Sequence, residues 1–299
     1  MKIIALLKEK GFLVESFLHA HSCFDLAGKG HGLFFLVKVL NNIDALREEQ
    51  ALELKKLSSL FAAIPMVVGE KSKAFSLKEN SVYERYGINV LSFRGFSELL
   101  EENLPSIRVF KGKEIVELDP EKLRQRRKEM GFTLEEIAQK IDSTVESVHR
   151  YEKGANVSLG KAEALEDLLG TSLIKKIDLL KGEKQEKNVF DSDIEDECLG
   201  KIQGLGVELS VFKHAPFRAS VKKETLIIGK GNTKIEIRKK AVELIHAKNV
   251  FGSSPLILAK ESSQKAVGNV PVIEEEELES MSRFNELREL IRERSRKNA

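Results

Sequence analysis

Two periodicities alternate along the chain. Residues 33–40 (LFFLVKVL) form a short, nearly unbroken apolar run rich in Phe and Val, the pattern of a buried strand. From Asn42 to about Phe61 the apolar residues Ala45, Leu46, Leu52, Leu54, Leu57 and Leu60 recur at three- to four-residue spacing among charges, which predicts an amphipathic helix. Pro65 opens a second strand (MVV), and 88–91 reads as a third before a short helix through Phe96, Leu99 and Leu100. The succession returns near the other end: strand at 226–228, helix 235–249, strands at 256–258 and 270–273, and a helix from Glu275. Strand–helix–strand spacing of this kind predicts parallel pairing through crossover connections. Between these stretches, 117–181 carries five helical patterns and no strand pattern.

The recurrence extends to residue identities. With a shift of 190 and no gaps, 241–260 lies over 51–70 with five identities: Ala51/Ala241, Glu53/Glu243, Leu54/Leu244, Phe61/Phe251 and Pro65/Pro255. A second block pairs 87–100 with 268–281, and a third, weaker one pairs Phe17-Leu-His19-Ala20 with Phe212-Lys-His214-Ala215. Three blocks in one order point to a duplication. The polar stretch 182–193 reads as a linker, and the tail NELRELIRERSRKNA as a charged surface helix that frays. The expected organisation is an N-terminal α/β module at 1–113, a helical domain at 117–181, and a second α/β module at 193–299.

Charge then narrows the classes of function. Of 299 residues, 49 are Lys or Arg and 47 Asp or Glu, a formal net of +2, so bulk charge does not hold nucleic acid or membrane. Two distant cysteines, Cys23 and Cys198, make neither a disulfide framework nor a zinc knuckle and suit a reducing compartment. The opening MKIIALLKEKG is too short for a signal peptide's apolar region. No run approaches the ~18–20 apolar residues that cross a bilayer. A cytoplasmic protein with no membrane partner is expected.

The middle segment, 118–170, carries the function. Asp119 caps a helix whose first turn holds Pro120 and Glu121 and which ends at Gly131. Thr133 caps the next, with Glu136 completing a capping box and Leu134, Ile137, Ala138 and Ile141 forming its apolar face. After the turn Asp142-Ser143, Thr144 caps a third helix, VESVHRYEKG, and a fourth starts near Ser158 and buries Ala162, Leu165 and Leu169. Two short helices joined by a tight turn behind a supporting helix form a helix-turn-helix. The run LRQRRKEMGFTLEEIA followed by HRYEKG and a leucine-rich helix resembles the Cro/lambda-repressor (XRE-like) type. This sequence departs from that family's turn, which usually holds glycine and then an apolar residue where Asp142 and Ser143 stand here. Asp142 can still take a left-handed turn conformation.

The resemblance implies that the third helix enters the major groove of double-stranded DNA. Thr144, Val145, Glu146 and Ser147 lie near its start, with His149 and Arg150 further on. Thr144 and Ser147 suit phosphates or base edges, Val145 a thymine methyl, and Glu146 a cytosine amino group. Thr133 is placed for a phosphate, and Arg124, Arg126, Arg127 and Lys128 form a basic cluster of which some clamp the backbone and others are merely solvated. Residues 119–170 hold nine Lys/Arg against eleven Asp/Glu, net −2, so this is no strong non-specific binder. Glu152 reads as a structural partner for a nearby arginine.

The flanks bear another likeness. CFDLAGKGHGLFFLVKVL (23–40) resembles the strand pair of restriction-endonuclease-like folds, in which an Asp and a later Glu-x-Lys hold a divalent metal. Asp25 matches the first position, but Lys38 and Leu40 stand at the Glu-x-Lys positions, and the second copy has Gly229 and Gly231 there. An ammonium where a cation should sit defeats metal binding. His19, His21 and His31 near Cys23 lack zinc-site spacing, and GKGHG and GKGN read as hairpin turns. The expected fold class is therefore α/β plus all-α, with two degenerate nuclease-like modules flanking a helix-turn-helix domain. The whole chain resembles archaeal HTH-type transcriptional regulatory proteins, which implies a non-enzymatic regulator. It is expected to use no cofactor, metal or small-molecule ligand, and to homodimerise through its α/β modules, although duplicated modules can pair within one chain as easily as between chains. The alternative is a non-catalytic nuclease-derived scaffold whose helix-turn-helix contacts protein.

Overall fold

A computed structural model of the chain describes residues 2–17, 22–181, 189–221 and 223–296. In chain order its first elements are α1 (Lys2–Glu9), β1 (Leu13–Ser16), β2 (Leu26–Gly30), β3 (Leu33–Asn42), α2 (Glu48–Phe61), β4 (Ile64–Lys71), β5 (Ser81–Arg85), β6 (Ile88–Ser92) and α3 (Phe93–Leu100). Then come β7 (Ile107–Phe110), β8 (Lys113–Val116), α4 (Pro120–Glu129), α5 (Leu134–Lys140), α6 (Val145–Tyr151), β9 (Val157–Ser158) and α7 (Leu159–Leu169). The last part holds α8 (Glu197–Gly204), β10 (Ser210–Val211), β11 (Ala219–Val221), β12 (Leu226–Lys230) and α9 (Lys234–Phe251). It closes with β13 (Ser254–Ala259), β14 (Ala266–Val267), β15 (Val270–Glu274), α10 (Glu275–Glu279) and α11 (Phe284–Arg296). Mixed α/β sheets and helices make up the fold.

Packing divides the chain into two units: Met1–Val39, Leu46–Met66 and Gly182–Ala299 in one, Leu40–Ala45 and Val67–Lys181 in the other. These do not follow the boundaries read from composition, because texture marks linkers whereas packing joins segments distant in sequence.

The first unit holds the strand order β1-β2-β3-β4 and a six-stranded sheet, β10-β11-β12-β13-β15-β14. β1, β2 and β3 pair antiparallel, and β2 turns into β3 through His31 (φ 51°) and Gly32 (φ 75°), the consecutive left-handed residues a tight hairpin needs. In the second sheet β12, β13 and β15 run parallel, β12 and β13 being joined by the crossover helix α9, and the outer strands are antiparallel. Its core is Leu226, Ile228, Leu256, Leu258 and Ile273 beneath Leu199, Ile202, Leu278 and Leu287.

Two expectations need correction here. GKGN is no hairpin turn: it leads from β12 straight into α9, where Thr233 Oγ1 accepts from Glu236 N (3.2 Å) and Glu236 returns to Thr233 N (3.2 Å). The Thr-x-x-Glu capping signal following the glycines decides between turn and helix start. The tail is not merely a charged surface helix either, since α11 buries Phe284, Leu287 and Ile291.

Arg294 on α11 donates to Glu277 Oε2 at 3.0 Å, and Lys265 Nζ reaches Glu277 Oε1 at 3.0 Å. Burial pushes the Glu277 carboxyl up, but bonds from Arg294, Lys265 and the Glu274 amide outweigh it and bring its pKa down to about 2. The folded-state value lies below the unfolded 4.5, so this stabilisation is complete above pH ~4.5 and is lost as pH falls towards 2. Glu277→Gln is expected to flatten the melting temperature over that window. An acid titration followed by circular dichroism checks it.

In the second unit the strand order is β6-β5-β7-β8-β9, antiparallel except for the parallel pair β5/β7. The segment expected to be free of strands contains β9, which pairs with β8 (Ile115↔Ser158, Val116↔Val157), and a bridge Leu118↔Ile174. A two-residue strand is too short to show alternation. Four helices, α4–α7, stand in place of the five patterns, and Val116, Leu118 and Val157 from the strands complete their core.

Candidate nucleic-acid interface

Local sequence fixes each helix of the four-helix group. Asp119 Oδ1 accepts from Lys122 N at 3.0 Å with Pro120 in the first turn, and α4 stops before Gly131 at φ 73°. Thr133 Oγ1 accepts from Glu136 N (3.1 Å) while Glu136 Oε2 accepts from Thr133 N (2.8 Å), both halves of a capping box. Asp142 adopts φ 50°, the left-handed conformation the turn demands, and the Lys161 ammonium donates to its carbonyl. Thr144 Oγ1 accepts from Ser147 N at 3.2 Å and starts α6. Leu123, Ile137, Ala138, Ile141, Val148, Ala162, Leu165 and Leu169 close the core, with Leu134, Val145 and Tyr151 packed on its edge.

That packing sorts the sequence-derived residues into two groups. On α6, Thr144, Glu146, His149 and Arg150 are exposed, Ser147 is half-buried, and Lys153 extends the exposed strip one turn further. Val145 is half-buried against the core, which leaves less of its side chain for a base methyl. The hydroxyls of Thr144 and Ser147 bond each other at 3.0 Å. Thr133 is exposed, but its amide is already satisfied by Glu136, so a phosphate there has to compete with the capping box.

The α4 arginines point the other way. Arg127 Nε donates to Glu152 Oε1 (2.6 Å), its Nη2 to Glu152 Oε2 (3.2 Å) and its Nη1 to Phe132 O (3.0 Å), with 13% of its side chain exposed. Glu152 is buried, and its bond raises the Arg127 pKa above the ordinary value. Arg126 Nε donates to Leu169 O at 2.9 Å, at the end of α7, and its Nη1 pairs with Glu129. Arg124 Nη2 donates to Glu152 O at 3.1 Å, although half of its side chain remains open. These three side chains hold α4 against the ends of α6 and α7. Among the described residues, Lys128, Arg150 and Lys153 have no ion-pair partner, and Lys140 lies 5.7 Å from the Phe132 ring. Lys140 and Lys153 were absent from the sequence-derived set; their position in the last turn of α5 and just past α6 was the available signal.

The nuclease-like strand pair has its own geometry. Asp25 Oδ1 accepts from Lys38 Nζ at 2.9 Å and Oδ2 from Val39 N at 2.7 Å, and Lys38 also donates to Ser22 O at 3.0 Å. Both side chains are largely buried. An ammonium thus sits against the one carboxylate, and these residues do not fit a divalent cation. Among the described residues no cluster of three or more His, Cys, Asp or Glu is arranged for a metal. His31 Nε2 bonds Lys10 O at 2.8 Å, Cys23 is buried, and His19 and His21 lie outside the described residues. No helix among the described residues is long and apolar enough to cross a membrane.

The capped helix-turn-helix and, in the other unit, the strand pair with one acidic position left each agree with comparison to known proteins. Residues 1–105 match the PD-(D/E)XK superfamily domain, and residues 123–175 match the helix-turn-helix family. The chain is 34% identical to a Pyrococcus horikoshii protein, covering 96% of this chain and 95% of that one. It is 33% identical to a Pyrococcus furiosus protein over 96% and 95%, and 32% identical to one from Thermococcus kodakarensis over 96% and 92%. Each of the three carries the name "Putative HTH-type transcriptional regulatory protein". The chain belongs to this archaeal family. No solved structure matches it.

Proposed function

We propose that the chain is a sequence-specific DNA-binding transcriptional regulator that reads duplex DNA with α6. The observation that carries this reading is the exposed strip Glu146, His149, Arg150 and Lys153, in which Arg150 and Lys153 have no ion-pair partner among the described residues, while the neighbouring α4 arginines are hydrogen-bonded to other parts of the bundle. A strip of that kind offers donors and an acceptor to base edges and phosphates, and the rigid bundle behind it fixes its register. The names of the relatives support the same assignment.

Arg150→Ala is expected to weaken binding to a selected operator and to lower the salt slope by about one. Glu146→Ala is expected to relax preference at a single base pair by ~1–3 kcal/mol with little change elsewhere. Operator selection from random duplexes, followed by anisotropy titrations at several salt concentrations, checks both. Selection that enriches no sequence overturns the reading. It would favour instead the scaffold reading, in which the bundle contacts protein, a reading that the local net of −2 over 119–170 supports.

The Lys38–Asp25 pair supports a non-catalytic role for the nuclease-like strands. Purified protein with magnesium and branched or linear duplex DNA is expected to yield no cleavage; product formation reverses this conclusion. Homodimerisation through the α/β modules, the arrangement expected from sequence, loses its support for the reason developed next.

A further inference from the structure

We infer that the two α/β modules are each other's dimer partner within one chain, so that a single chain replaces a homodimer and presents one recognition helix to DNA. The pairing goes beyond the DNA-binding reading; its consequence for DNA rests on that reading.

The starting point is the order of elements. Setting aside the single 3-10 turn at Ile43–Ala45, α-β-β-β-α-β-β-β-α occurs twice, as α1–α3 with β1–β6 and as α8–α10 with β10–β15. Backbone hydrogen bonds then fix the register between the copies. Phe17 N donates to Asp25 O (2.8 Å) as Phe212 N donates to Arg218 O (2.9 Å), and Asp25 N donates to Val37 O (2.9 Å) as Arg218 N donates to Ile228 O (2.6 Å). Phe24 therefore corresponds to Phe217, Asp25 to Arg218, Lys38 to Gly229, and, from the ungapped block, Phe61 to Phe251.

The contacts between the copies obey that correspondence. A two-fold interface is self-complementary: if residue i meets the equivalent of j, then j meets the equivalent of i, and a residue on the axis meets its own equivalent. Phe61 and Phe251 are equivalents, and their rings pack against each other at 4.6 Å. Phe24 meets Phe251 at 6.0 Å and Phe217 meets Phe61 at 6.1 Å, a reciprocal pair. Within the copies, Phe17–Phe24 (5.2 Å) is matched by Phe212–Phe217 (5.6 Å).

Polar bonds seal the same face. Glu53 on α2 accepts from Lys213 N (2.6 Å) and His214 N (2.7 Å), and Lys56 Nζ donates to Asp191 Oδ2 (2.6 Å) and Val211 O (3.1 Å). Glu15 on β1 meets His246 Nδ1 (2.6 Å) and Asn249 Nδ2 (2.7 Å) on α9. The face a second chain would need is thereby covered by the chain's own second module. One helix-turn-helix per closed pair then implies a single asymmetric DNA half-site in place of a palindrome read by two copies.

The test uses the full chain with Glu15→Cys and Asn249→Cys and a protease site placed in the polar stretch 182–188. After treatment with a short bis-maleimide, the cross-linked product is expected to run at single-chain mass, 33.6 kDa before insertion, on a denaturing gel before proteolysis, and to stay one covalently joined species of that mass after it. Each single-cysteine variant serves as the control, because Cys23 and Cys198 are buried. A cross-linked band of twice the chain mass, or no cross-link in the double variant, overturns the pairing. Footprinting separately reports the DNA consequence: protection without dyad symmetry is expected, and a palindromic footprint holding two chains overturns that consequence while leaving the cross-link result to judge the pairing. Failure of operator selection, by contrast, touches only the DNA-binding reading.

Discussion

Arg127→Ala is expected to destabilise the helix-turn-helix unit by about 3–5 kcal/mol, the cost of leaving a buried carboxylate without its partner. Glu152, with 4% of its side chain exposed, receives two bonds from the Arg127 guanidinium, and among the described residues the other cation paired with it is the more open Arg124, 3.7 Å from Glu152 Oε2. The lost Nη1 bond to Phe132 O adds to the effect by freeing the segment that leads into α5. Urea denaturation of the full chain checks it, with the double variant Arg127→Ala/Glu152→Ala as the control. If the loss comes from the orphaned charge, the double variant recovers part of the stability, because no carboxylate is then left buried. Arg127→Lys is expected to recover little, since an ammonium cannot make the two parallel bonds.

The same pair separates folding from recognition. A variant of Arg126 and Arg127 together would lose DNA binding by unfolding the reader, and would say nothing about contact. Arg150 is exposed and its side chain makes no hydrogen bond or ion pair among the described residues, so Arg150→Ala is expected to leave the bundle intact and its effect on DNA to be readable as contact energy. Measuring urea midpoints and operator affinity on one set of variants distinguishes the two: Arg127 moves the midpoint, Arg150 the affinity.

How much of this was legible in the chain follows from where each signal lives. Caps are local, and the sequence carries them openly: Asp119, Thr133 with Glu136, and Thr144 all begin helices where side-chain chemistry says they should. The left-handed Asp142 was equally readable. The direction of long side chains was not. Arg124, Arg126 and Arg127 sit within one helical turn, yet whether their guanidinium groups face water or Glu152 depends on how α4 lies against α6 and α7, which no spacing rule states. Short strands were missed for a different reason, since β9 and β14 have two residues each and gain their hydrogen bonds from distant partners. Long-range packing is invisible for a similar reason. Leu46–Met66 packs with the last third of the chain, and composition along the sequence holds no trace of that.

Phe251→Ala is the second large effect, at about 3–5 kcal/mol for emptying a packed aromatic site. Phe251 is 7% exposed and makes edge contacts with Phe24, Phe34, Phe61 and Phe217, so truncation removes four ring interactions at once. Phe61→Ala is expected to cost less, because Phe61 is only half-buried and its neighbours can close over the gap. Calorimetry of the full chain gives the size of the loss and the manner of it. Two modules that owe stability to a shared aromatic face unfold together, so the variant's transition should move down and split, one part retaining the enthalpy of the first module. Independent modules would keep the first transition at its original temperature, with only the second displaced. A shift of both, from one ring at the terminus of α9, is the thermodynamic signature that the paired arrangement requires.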